Sequence, residues 1–254
     1  MSEFAVLILD TPDCEEIQAL LQTDPPAAIA RLRAHAHQGE RQSQLALGQL
    51  LINGVGAPRD ATQALGWFRK AATSRVPMAM NMVGRCHEYG LGTCVDYEQA
   101  ARWYYRAALF ECDWAIYNYA HMLANGRGVK KDRAAAFNWF NLAASRGHAR
   151  AMHFLGLYHE NGWETPASQD IAFDWYRRSA EGGDYRGQCS YASVLAEHGR
   201  MEEALRWLRL AATTATPAYL SALAATLRQS PHQGLGAFAD SLPARVDYPT
   251  SPGP

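Results

Sequence analysis

The chain has 254 residues, 48% apolar, 11% aromatic and 19% charged, which is enough apolar content for a sizeable buried core. Its 24 basic and 25 acidic residues leave a formal charge of −1, so no overall positive field draws in a nucleic-acid backbone or an anionic membrane, although a local patch could. No run approaches the roughly 18 apolar residues of a membrane span, and five cysteines without a CxxC argue against a disulfide framework or a four-thiolate zinc site.

The opening stretch, MSEFAVLILDTPDCEE, has an apolar run from Phe4 to Leu9 but neither the basic start nor the small-residue cleavage site of a signal peptide. A cytoplasmic protein is therefore expected. The run suits an extended segment, and Glu15 to Gln22 suits a short helix. AAIARLRAHAHQG then places Ala28, Leu32 and Ala36 one period ahead of Ala64, Phe68 and Ala72. Residues 1–43 are read as an N-terminal cap containing a degenerate half-repeat.

Four long stretches follow, starting at Ile52, Glu88, Ala124 and Glu160, 36 residues apart. Trp67, Trp103, Trp139 and Trp175 keep that spacing, as do the small pairs ending in Ala72, Ala108, Ala144 and Ala180. A period of this length marks a repeat array. Each unit holds two helical patterns; in RAAAFNWFNLAASR, Ala136, Trp139, Phe140, Ala143 and Ala144 recur at steps of three and four and draw one apolar stripe. The tryptophans, always beside the small pairs, are expected to wedge between neighbouring units. Asp60, Asp96 and Asp132 stand where the second helices begin and suit capping of free backbone N–H groups.

The pair Gly90 and Gly92 falls between two helices. A phosphate loop would need a preceding strand, a third glycine and a lysine or distant carboxylate, none of which is present, so the pair is read as a hinge. In the fourth unit Trp163 and Glu164 take the place of the second glycine and its neighbour, and a longer, differently shaped turn is expected there. A fifth unit ends in EHGRMEEALRWLRLAA, with Trp207 only 32 residues after Trp175. Residues 217–230, opening on Pro217, read as a C-terminal capping helix. Residues 231–254 carry five prolines and are expected to be largely flexible, with Phe238, Leu242 and Tyr248 able to fold back on the repeats.

Gly84, Gly90, Gly92, Asp96, Ala100, Trp103, Tyr104, Ala107 and Ala108, with their counterparts in the other units, resemble the Sel-1-like repeat family, relatives of the tetratricopeptide repeat. The resemblance covers about residues 44–216. It implies an all-α fold: a right-handed superhelical solenoid of stacked antiparallel helix pairs, about five repeats, between capping helices. It also implies an adaptor or scaffold without catalysis of its own. In such repeats the first helices line a concave face, and the position after the helix-interior glycine, with those four before and after, points into it. Carried onto this chain, that rule gives the rows Leu45, Gln49 and Asn53; Asn81, Arg85 and Tyr89; Tyr117, His121 and Asn125; His153, Leu157 and Asn161. The candidate site is Asn81, Arg85, Tyr89, Tyr117, His121 and His153, with Trp114, Arg150 and Arg186 at the neighbouring edge, while Asn53, Asn125 and Asn161 each precede a glycine and suit the helix end. Aromatics mixed with arginine and polar donors anchor protein partners through contact area and directional bonds. The alternative is that these are ordinary solvated residues.

Other chemistry finds little support. His87 and His159 share a register filled by Leu51 and Leu123 elsewhere, so they read as packing residues. His121 and His153 lack a third metal ligand. Glu88 and Glu160 are too remote to act as an acid and base pair, and Ser190 lacks a nucleophile-elbow context. Cys86 and Cys94 are near enough in sequence for a redox pair, though free thiols are the simpler reading. The expectation is a non-catalytic module without cofactor or metal, binding a protein or peptide rather than nucleic acid or membrane. Two alternatives are an accessory subunit of an enzyme complex, contacting through the convex face or tail, and a small-molecule or metal sensor.

Overall fold

The computed structural model describes residues 13–242; the early apolar run and Tyr248 lie outside them. Among the described residues there are fourteen helices and no strand. The chain divides into two compact units, Met1–Ala143 and Ala144–Pro254. In the first, α1 (Cys14–Thr23) and α2 (Pro25–His37) precede the pairs α3 (Arg41–Asn53) with α4 (Ala61–Thr73) and α5 (Pro77–Tyr89) with α6 (Tyr97–Ala108). Then come α7 (Asp113–Asn125) and α8 (Arg133–Ser145), whose last two residues fall in the second unit. That unit continues with α9 (Ala149–Asn161), α10 (Gln169–Glu181), α11 (Tyr185–Glu197), α12 (Met201–Thr214), α13 (Pro217–Arg228) and α14 (Gln233–Ser241). Within each unit a first helix packs on its own second helix and also on the next first helix, as α5 does on α7 and α9 on α11.

Local chemistry sets the helix boundaries. Each of the first helices α3, α5, α7 and α9 ends at a glycine in the left-handed region, φ 66 to 70, which only glycine adopts without steric cost. The second helices start on an acceptor: Asp60, Asp96 and Asp132 each accept from the backbone N–H three residues on, at 2.8, 2.9 and 2.8 Å. Ser168 does so in the fourth unit. The second loop glycine has a separate reason. An added Cβ on Gly92 or Gly128 would strike the carbonyl of Ala61 or Tyr97, the first residue of the preceding second helix, so the loop lies directly against that helix end.

Three expectations change. The turn after α9 keeps the shape of its counterparts, because Glu164 adopts the left-handed conformation itself, φ 56, in the register of Gly56, Gly92 and Gly128. The tryptophans do reach the neighbouring second helix, Trp67 against His37 of α2 and Trp139 against Tyr105 of α6, but they do not form the centre of the core. The residue after each one fills it: Phe68, Tyr104, Phe140, Tyr176 and Leu208 are at most 1% exposed. Trp67 is buried, whereas Trp103, Trp139, Trp175 and Trp207 are half-buried. One step along a helix turns about 100°, which moves the tryptophan from the middle of the apolar stripe to its rim. The central ring lies in a notch on the partner helix, since a Cβ on Gly84 would stand 2.7 Å from the Tyr104 ring, and Gly48 and Gly156 face Phe68 and Tyr176 in the same way.

The stretch from residue 231 also differs from a flexible tail, because it contains α14. Leu235 and Phe238, three residues apart, join the cluster around Leu208 and Ala211, and Ala239 is buried beside them. Arg228 donates to Asp240 at 2.9 Å. The prolines bracket this short helix rather than interrupt it, which is why composition alone concealed it.

Candidate functional site

In the first unit, α5 carries Asn81, Arg85 and Tyr89 at steps of four, and the neighbouring α7 carries Trp114, Tyr117 and His121. These six side chains do not share one environment. Asn81 is buried and accepts from Asn118 at 2.9 Å, a bond that ties the two first helices together. Tyr117 is buried too, its ring 6.0 Å from that of Phe140 and 6.3 Å from that of His121. Arg85 and His121 are half-buried. Tyr89 is 59% exposed and Trp114 38%. Asn125 donates to the His121 carbonyl at 2.8 Å, which is the helix-end role its position before a glycine suits.

In the second unit, α9 carries Arg150 and His153, and α11 carries Arg186. His153 is buried, and its Nε2 lies 3.1 Å from Ser190 Oγ. Burial, helped by the charges of Arg186 and Arg150 and opposed by Asp184, lowers its pKa to about 4, so the ring is neutral near pH 7. Arg150 and Arg186 are half-buried. Arg150 Nε stands 3.4 Å from Asp184 Oδ1, and the same carboxylate accepts from the Gly187 N–H at 3.1 Å to cap α11. The Arg186 guanidinium lies over the Tyr185 ring at 4.5 Å.

The two tying contacts, Asn81 with Asn118 and His153 with Ser190, each span 37 residues and are themselves two periods apart. The repeat period alone assigns neither Asn118 nor Ser190 as a partner, because each lies one residue past the period from the residue it bonds. What the rows expose is therefore aromatic surface at the two ends, Tyr89 at the end of α5 and Trp114 at the start of α7, with the half-buried Arg85 and His121 on the same two helices.

The repeated carboxylates have a structural role. Tyr104 donates to Glu88 at 2.6 Å and Tyr176 to Glu160 at 2.9 Å, each within one helix pair. Desolvation, with the carboxylate charge adding to it, drives both phenol pKa values up. His87 is buried in the register of Leu51 and Leu123, and desolvation lowers its pKa. All five cysteines are free; Cys86 is buried, where desolvation pushes its thiol up to about 11, and Cys94 is exposed. Among the described residues no group of three or more His, Cys, Asp or Glu comes together as a metal ion would require. Among them, too, no helix is long and apolar enough to cross a membrane.

The family model of the Sel1 repeat matches residues 41–74, 77–109, 115–148, 149–184 and 201–213. Among solved structures, the chain is similar to a Sel1 repeat protein from Oxalobacter formigenes at 24% identity and a TM-score of 0.75, covering 90% of this chain and 98% of that one. It is similar to c5321, a protective antigen of uropathogenic Escherichia coli with an SLR fold, at 24% identity and a TM-score of 0.64, covering 86% of this chain and 52% of that one. A Sel1 repeat protein from Klebsiella pneumoniae aligns at 19% identity and a TM-score of 0.51, covering 72% of this chain and 91% of that one. At these identities the structural likenesses speak for the fold alone. No curated protein matches the sequence.

Proposed function

We propose, starting from the fact that the chain belongs to the Sel1 repeat family, that it is a non-catalytic adaptor that holds a peptide or protein segment on its first-helix rows. Proteins built from Sel1 repeats generally serve as interaction scaffolds. The observation that carries the reading for this chain lies in the first unit. Tyr89, one turn past Arg85 at the end of α5, and Trp114, in the first turn of the neighbouring α7 that also carries His121, are exposed on either side of the level of the buried bond between Asn81 and Asn118. Aromatic and arginine side chains on a rigid base lose little conformational freedom when a partner arrives, so more of the contact energy appears as affinity. In the second unit Arg150 and Arg186 take the corresponding role, with His153 fixing the helices beneath them.

Five free thiols suit a reducing compartment, which supports a cytoplasmic place of work. The test is affinity capture from the native host with the full chain, repeated with Arg85→Ala/His121→Ala. A partner retained by the parent protein and lost with the variant, while circular dichroism stays helical, supports the reading. Equal capture by a folded variant refutes it.

A further inference from the structure

The formal charge of −1 conceals an uneven distribution. Residues 25–77 hold seven basic side chains, Arg31, Arg33, Arg41, Arg59, Arg69, Lys70 and Arg75, against two acidic ones, Glu40 and Asp60. Both carboxylates are committed to helix N-termini, Glu40 to that of α3 and Asp60 to that of α4. Asp13 and Glu16 from α1 and the residue before it pair with Arg31. The helices α2 and α4 contain no acidic residue at all.

Between those two second helices lies an open hollow of about 400 Å³, lined by Arg33 and His37 of α2 and by Gln63, Gly66, Trp67 and Lys70 of α4. Among the described residues its lining contains no carboxylate. Lys70 Nζ stands 4.1 Å above the Trp67 ring and His37 meets that ring edge-on at 5.1 Å, so the indole is a platform that holds a cation in place. The next unit repeats the stack with Trp103 and Arg106 at 4.7 Å, but there Glu98 pairs with Arg102.

Gly66 supplies a second, independent observation. It sits in the interior of α4, where glycine is the least favourable residue after proline, yet a Cβ there would meet nothing within 4 Å. Packing does not require it. Arg102, Asn138 and Asp174 occupy the same register in the following units, so only here is the side chain missing, and its absence keeps the hollow open.

We propose that this second-helix face is a docking site for an acidic peptide segment of a partner protein, whose carboxylates pair with Arg33 and Lys70 over the hollow at Gly66. The inference concerns a different face from the first-helix rows and stands or falls separately from them. A peptide fits better than a nucleic acid, because Trp67 is only 8% exposed and already covered by Lys70 and His37, leaving no ring face on which a base could stack.

The test uses the full chain and a fluorescein-labelled decapeptide of alternating Gly and Glu, followed by anisotropy at low salt. Saturable binding is expected, weakened about fivefold or more by Arg33→Gln/Lys70→Gln, as for the loss of two charge pairs. Gly66→Gln, which fills the hollow with a good helix former, is expected to weaken binding while raising Tm by about 2 °C. Arg41→Gln/Arg75→Gln removes the same charge away from the hollow and should leave affinity within about twofold. The proposal is overturned by no saturable binding up to about 1 mM peptide. Equal loss in both double variants, an unaffected Gly66→Gln protein, or tighter binding of a single-stranded RNA decamer would overturn it as well.

Discussion

His153 is the clearest case of a residue whose chemistry depends on what surrounds it. It is 8% exposed, faces Ser190 at 3.1 Å, and has its pKa lowered by burial from an ordinary value of about 6.5 to about 4. A lowered pKa in the folded state means the unfolded chain takes up the proton more readily. The stability this residue contributes is therefore complete above pH 6.5 and lost as the pH falls towards 4, by up to about 3 kcal/mol. Urea titrations between pH 7 and 4 should show that slope, and His153→Gln, which keeps a hydrogen-bonding group for Ser190 but does not titrate, should flatten it. An unchanged slope would mean another group carries the acid sensitivity. The groove register selects His153, but its burial is not legible in the repeat, because its partner Ser190 lies one residue beyond the period. The pairing of Tyr104 with Glu88 could also have been read: Phe68 and Phe140 accompany Ile52 and Ala124, so hydroxyl and carboxylate come and go together along the repeats.

At the scale of the elements, the boundaries were the most readable part, since an aspartate cap or a left-handed glycine acts within four residues. Asp60, Asp96 and Asp132 all cap as their positions imply. At Glu164 the expected new turn does not form, because a side chain in place of glycine changes the conformation only if the surroundings cannot hold the old one. Here φ stays at 56, and the carboxylate residue bears the steric cost of that region. Glu164→Gly should therefore raise stability by about 0.5–1 kcal/mol, the relief of strain exceeding the added freedom of the unfolded chain. Denaturant melts compare the two directly, and a loss of stability would show that Glu164 makes a compensating contact. Whether Trp67 or Phe68 marks the centre of the stripe cannot be told from a period of 36, because a shift of one residue moves every copy alike.

For the whole molecule, the repeat was visible because identical problems of packing recur at a fixed interval and select identical residues. The surface was not, since the repeat period says nothing of depth: the register of Asn81, Tyr117 and His153 is buried, that of Arg85 and His121 is half-buried, and that of Tyr89 lies open. The last helix has no counterpart in the repeats to align with, so the period does not predict it. Because α14 buries Leu235, Phe238 and Ala239 against the second unit, truncation after Ser230 should lower Tm by about 5 °C, measured by thermal melts. An unchanged Tm would show that the helix adds nothing to stability.

The ring seated in a glycine notch belongs wholly to one helix pair, whereas the loop glycine that abuts a carbonyl reaches back to the pair before it. The α5–α6 block thus brings its own internal lock, at Gly84, together with a joint, at Gly92, that fits on one side only. Copying a block entire adds both parts at once, so such an array can be lengthened by gene duplication without inventing a new interface, while an insertion of any other length would leave a joint with nothing to meet.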